Sequence, residues 1–121
     1  MEYSKQVLDK TANAIKGDSD SFTWLLQNDH KELAAFVRAV DGNANADSWL
    51  WRENFTELSM LSKAVYKNRQ SLKWLLDHGH ENLAAIAGAT HLNQDALNWI
   101  NIKNQQHLLV LVDALQEKLD V

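Results

Sequence analysis

GDSDSFTWLLQNDHKELAAFVRAVD, Gly17 to Asp41, decides the fold, because its pattern returns three more times without a gap. Gly42 to Tyr66 reads GNANADSWLWRENFTELSMLSKAVY, Lys67 to His91 reads KNRQSLKWLLDHGHENLAAIAGATH, and Leu92 to Gln116 reads LNQDALNWINIKNQQHLLVLVDALQ. Trp24, Trp49, Trp74 and Trp99 therefore stand 25 residues apart. Other columns keep the same register: Asp18, Asn43, Asn68, Asn93; then Leu33, Leu58, Leu83, Leu108; then Ala39, Ala64, Ala89, Ala114. Leu8 and Ala14 fall one period earlier, so residues 1–16 form half a unit, and residues 117–121 are a short tail. Self-similarity at a fixed period of this size marks a repeat architecture. Residues 1–121 read as a single helical-repeat domain of about four and a half units.

Each unit is expected to build two short helices. Asp18, Asn43, Asn68 and Asn93 are residue types whose side chains accept from the free NH groups of a helix's first turn, so they read as N-caps. Gly17 and Gly42, just ahead, suit a left-handed residue closing the preceding helix. Asp29, Asn54, Gly79 and Asn104 form a second turn column, expected to stop one helix and cap the next; Asp29 with Glu32 and Asn54 with Glu57 resemble capping boxes. In the second helix Leu33, Phe36, Val37 and Val40 lie at i, i+3, i+4 and i+7, one helical face. Ala35 and Ala39 lie on the opposite side. A helix apolar on two sides must be covered on two sides, so the second helices form the inner layer of a stack.

The expected fold is all-α: nine short helices in a right-handed or weakly curved αα stack, a short α-solenoid. One hairpin cannot bury its own apolar area, so each unit shelters the next. The Trp column is read as core, where a buried indole contributes roughly 4–6 kcal/mol at about 25 cal/mol/Å². Trp51, the fifth Trp, shares a column with Leu26 and Leu76 and is also read as core, the alternative being a partly exposed aromatic anchor.

Composition excludes several classes. The 121 residues contain no Cys, hence no disulfide, no thiolate metal site and no thiol nucleophile, and no Pro, in keeping with a mostly helical chain. No basic-then-apolar leader is seen in MEYSKQVLDK and no segment approaches a membrane span, so a cytoplasmic protein is expected, with no membrane partner. A net charge of −4 disfavours a phosphate-tracking surface. The one basic cluster, Lys63, Lys67, Arg69 and Lys73, reads as solvated surface.

No phosphate loop, nucleophile elbow, His-Glu-x-x-His motif or glycosidase-like carboxylate pair is found, and no catalytic, cofactor or metal residue is assigned. His78, Gly79 and His80 form the one turn that invites a metal reading, but zinc needs three or four converging ligands. Columns that vary while the frame stays constant are more informative. Arg38, Lys63, Gly88 and Asp113 form one; Asp41, Tyr66, His91 and Gln116 form another. Arg38, Lys63, Tyr66, His91 and Asp113 are the expected partner contacts. The last helix is apolar nearly all round, and Leu109 stands where earlier units carry Ala34, Ser59 and Ala84. Since terminal repeats need a polar outer face, Leu109, Val110 and Leu119 are expected to support self-association, giving a homodimer through this helix, unless the final turn folds back over it.

The Asp/Asn-capped, Trp-Leu-Leu pattern resembles short bacterial Trp-Leu helical-hairpin repeat proteins of uncharacterised activity, and is remotely similar to helical solenoids such as HEAT, tetratricopeptide and leucine-rich-variant repeats. The resemblance implies the fold and no activity. The leading expectation is a non-enzymatic protein-binding or adaptor module without cofactor. The alternatives are a metal-dependent or other enzyme with a site assembled across repeats, and a nucleic-acid-binding helical repeat.

Overall fold

A computed structural model describes residues 3–121, so Met1 and Glu2 of the first half-unit lie outside the described residues. Among those described, nine α-helices and no strand are found: α1 (Lys5–Ile15), α2 (Ser19–Gln27), α3 (Lys31–Val40), α4 (Ala44–Arg52), α5 (Thr56–Ala64), α6 (Arg69–Asp77), α7 (Glu81–Thr90), α8 (Gln94–Ile102) and α9 (Leu109–Leu119), the last preceded by a 3₁₀ turn, Gln106–Leu108. The all-α hairpin repeat is as the sequence indicates.

The caps explain where helices begin. Asn43, Asn68 and Asn93 each accept from the NH three residues on, all at 2.9 Å, and Asp18 accepts from the Asp20 NH and the Ser21 hydroxyl. The Ser21 hydroxyl, with smaller help from backbone NH groups, holds the Asp18 carboxyl below its ordinary pKa. The second turn differs from expectation. Asp29, Asn54, Gly79 and Asn104 all take positive φ, and the N-cap is the next residue, His30, Phe55 or His80, none giving a side-chain cap bond. A left-handed residue closes a helix by returning the next NH to an orphan carbonyl, so it cannot also act as N-cap. The returning bonds are present: His30, Phe55, His80 and Gln105 NH groups donate to the carbonyls of Leu25, Leu50, Leu75 and Ile100 at 2.8–2.9 Å.

The inner helices α1, α3, α5, α7 and α9 pack side by side in chain order, and α9 returns to pack on α1. The stack therefore closes into a ring. The five point the same way, since starts meet starts and ends meet ends. At the starting mouth Tyr3 stands edge-on to His30 at 5.9 Å, and its hydroxyl donates to Glu32 at 3.4 Å. Burial first, then the Glu32 and Glu57 charges, push the Tyr3 pKa upward. At the other rim Lys16 pairs with Glu117 at 3.7 Å, and Lys118 reaches Asp41. The ring interior is filled by the predicted i, i+3, i+4, i+7 stripe, including Leu8, Leu33, Phe36, Leu61, Ile86, Leu108, Leu111 and Leu115, all buried. The buried hydroxyls of Thr11 and Thr90 donate back to the carbonyls of Val7 and Ile86 at 2.8 Å, so no buried polar side-chain atom among the described residues lacks a partner.

The outer helices α2, α4, α6 and α8 lie in the gaps between consecutive inner helices, and their burial corrects the reading of the Trp column. The residue after each Trp is the core residue: Leu25, Leu50, Leu75 and Ile100 are 0 % exposed. Trp24, Trp49, Trp74 and Trp99 are half-buried at the edge of the core. Trp24 stacks on His30 (6.1 Å between centroids), Trp49 on Phe55 (6.0 Å) and Trp74 on His80 (5.8 Å), while the Trp99 indole NH donates to Glu81 at 3.2 Å. An indole is amphipathic, and here its apolar face packs while its edge stays wet. Trp51 is likewise not core: it is 44 % exposed.

Candidate functional site

Each outer helix sits in the groove between two inner helices, so a furrow remains between successive outer helices. Its floor is the inner helix between them: α3 for the α2/α4 furrow, α5 for α4/α6 and α7 for α6/α8. The variable column Arg38, Lys63, Gly88 occupies the same place on each of these floors. Three equivalent furrows therefore carry three different chemistries.

In the α2/α4 furrow, a hollow of about 490 Å³, the Arg38 guanidinium lies 4.7 Å over the Phe22 ring, with Lys31 and Arg52 also lining it. In the α4/α6 furrow Lys63 is tied internally. Its ammonium lies 3.4 Å from Asp47, 3.2 Å from the Ser59 hydroxyl and 5.5 Å from the Trp51 ring centroid. In the α6/α8 furrow, a hollow of about 350 Å³, Gly88 brings no side chain and Ala96 of α8 closes against it; Leu76, Ala84, Ala85 and Trp99 supply apolar lining, and the charged lining residues are Glu81 and Asp95. The charge thus runs from basic through internally neutralised to acidic across three repeats.

Leu26, Trp51 and Leu76 stand at one repeat position on α2, α4 and α6, and are 42 %, 44 % and 53 % exposed; Ile102, near the end of α8, is 77 % exposed. The outer face therefore carries a row of large apolar side chains running past all three furrows. The sequence carried a signal for this. The fourth member of the Leu26 column is Asn101, and a column that accepts Asn is not a core column.

The five expected partner contacts are only partly brought together. Arg38 and Lys63 line the furrows as described, and Asp113 is exposed on α9. Tyr66 and His91 lie instead at the closing rim, where each makes one internal bond. The Tyr66 hydroxyl donates to the Val40 carbonyl and His91 Nε2 meets the Val65 carbonyl, each at 2.6 Å; Gln116 Nε2 donates to Ala89 and Thr90 at 3.4 Å. Since a carbonyl only accepts, His91 carries its proton on Nε2. These side chains donate to carbonyls at the end of the preceding inner helix, and the column varies because several donors can do so. Tyr66 also lines a shallow hollow with Lys63 and Asn43.

Leu109, Val110 and Leu119 are half-buried and pack against the core, because α1 covers α9. The last helix packs on the first, side by side with it in the ring. In the His78–His80 turn both imidazoles lie against Trp74, His78 at 4.0 Å with Nδ1 2.8 Å from the Trp74 carbonyl. Among the described residues no three His, Asp or Glu side chains converge as a metal-binding group, and no helix is long and apolar enough to cross a membrane.

No family model, curated protein or solved structure matches this chain.

Proposed function

We propose that this chain is a non-enzymatic protein-binding module of the cytoplasm that engages a partner polypeptide through its outer helices. The observation that supports this reading is the row Leu26, Trp51, Leu76. The core does not use these side chains, yet they recur at one position on three adjacent helices. A recurring row of exposed apolar side chains beside furrows of differing charge has the character of an interaction surface, and aromatic anchors such as Trp51 carry much of the affinity of such surfaces. The order of charges favours polypeptide over nucleic acid. A phosphate backbone following the outer face would leave the cations of the α2/α4 furrow and meet Glu81 and Asp95 two repeats later.

The test is capture by the immobilised protein from a lysate of its own cells, compared with a Leu26→Ser, Trp51→Ser, Leu76→Ser triple variant. These positions are exposed enough that the fold survives, as circular dichroism verifies. The reading expects a partner retained by the parent protein and lost by the variant. The same proteins on both resins would contradict it.

A further inference from the structure

The three furrows act as each other's controls. Two supply their own cation at the central floor position: Arg38 lies over Phe22, and the Lys63 ammonium lies among Asp47, Ser59 and Trp51. The third has Gly88 at that position, where Ala96 of α8 closes against the bare backbone, so the furrow has no cation of its own. Its floor and walls are apolar through Leu76, Ala84, Ala85 and Trp99. Its charged groups, Glu81 and Asp95, are exposed, and neither forms an ion pair among the described residues. The Glu81 carboxylate is already oriented by the Trp99 indole NH at 3.2 Å.

We propose, on the protein-binding reading above, that the α6/α8 furrow receives a Lys or Arg side chain of the partner polypeptide, next to a bulky apolar residue of the same segment. The partner's alkyl stem lies over Ala84 and Ala85, alongside the place where Ala96 closes on Gly88. Its cationic end faces Asp95 and Glu81. The adjoining apolar residue packs on Leu76 and on the half-buried Trp99. Charge complementarity sets the sign of the partner: the furrow is acidic, while its counterpart at α2/α4 is basic. A long side chain that buries its stem on apolar surface and keeps its charge at an acidic rim fits this shape better than an acidic or a purely aliphatic one.

The experiment selects a displayed library of random twelve-residue peptides against the folded protein, then maps the enriched peptides by backbone amide shifts. The inference expects enriched sequences that combine Lys or Arg with Leu, Met or Phe, with shifts at Leu76, Ala84, Ala85, Gly88 and Trp99. Asp95→Lys combined with Glu81→Lys should weaken these peptides by at least about tenfold. Should the double variant fold poorly, Leu76→Ser at its exposed position should weaken them too, while Lys31→Glu in the α2/α4 furrow leaves them unchanged. Enriched peptides that are acidic, or shifts confined to the α2/α4 furrow, overturn this assignment and leave the protein-binding reading standing. No enrichment overturns the assignment; coupled with identical capture by parent and triple variant, it removes both.

Discussion

Leu75 and Trp74 are neighbours in sequence and opposites in role. Leu75 is 0 % exposed between α6 and the ring, while Trp74 is half-buried beside His78 and His80. Truncating a fully enclosed Leu removes transfer energy and leaves a cavity, so Leu75→Ala should destabilise the chain by about 2–5 kcal/mol. Trp74→Ala removes a larger side chain from a site where water already reaches one edge, and should cost about 2 kcal/mol, near half the loss at a closed site. Leu76→Ala, on the outer row, should cost under ~0.5 kcal/mol. Urea unfolding of the three variants checks the order, and a Trp74 effect exceeding that of Leu75 would contradict the assigned layers. At this scale the sequence was legible wherever a face was uniformly aliphatic. The stripe Leu33, Phe36, Val37, Val40 and its repeats is buried as read. The Trp column was misread because constancy in a repeat reports a shared environment, and for an amphipathic ring that environment is the edge of the core. Trp51 was misread for a related reason: it was judged by Leu26 and Leu76, which are themselves exposed.

The elements were largely legible, and the turns show the limit. Residues 17, 42, 67 and 92 all adopt positive φ, but only the first two are Gly. Lys67 and Leu92 take the same conformation because the frame demands it: the Asn68 and Asn93 NH groups return to the carbonyls of Lys63 and Gly88, as those of Asp18 and Asn43 do to Asn13 and Arg38. A side chain in the left-handed region costs roughly 1–2 kcal/mol, less the flexibility that Gly adds to the unfolded chain. Leu92→Gly should therefore stabilise the protein by about 0.5–1 kcal/mol, read as a rise in the thermal midpoint, and Leu92 is exposed enough that little packing is lost. An unchanged or lowered midpoint would contradict the turn assignment. Gly88 answers to a different demand. A Cβ there would meet the Ala96 Cβ at 2.8 Å, so α7 and α8 approach each other through the missing side chain. Gly88→Ala should destabilise by about 1–3 kcal/mol, with recovery when Ala96→Gly is added, since the cost is overpacking against one atom. The sequence placed Gly88 in one column with Arg38 and Lys63 but did not show what lay opposite, because that contact depends on how closely two helices approach.

Ring closure is the property of the whole molecule that the repeat did not reveal. A 25-residue period sets how one unit meets the next, and the same pattern suits an open row or a closed circle, depending on a small rotation per unit. After four units the rotation brings α9 against α1, where no outer helix intervenes. The apolar character of α9 was the one legible sign of a covered end, and α1 proves to be the cover. Closure also fixes the outer face as the only side on which the furrows open, since the inner faces meet in the core. Its most direct test is a distance. The chain has no Cys, so Lys16→Cys and Glu117→Cys give two unique sites for spin labels. Double electron–electron resonance, with labelled protein diluted in unlabelled, then reports only the separation within one molecule. The closed ring predicts a separation of a single interhelix step, about 8–10 Å between axes plus the label arms. An open row would place four such steps, about 32–40 Å, between α1 and α9, and that longer distance would contradict the ring.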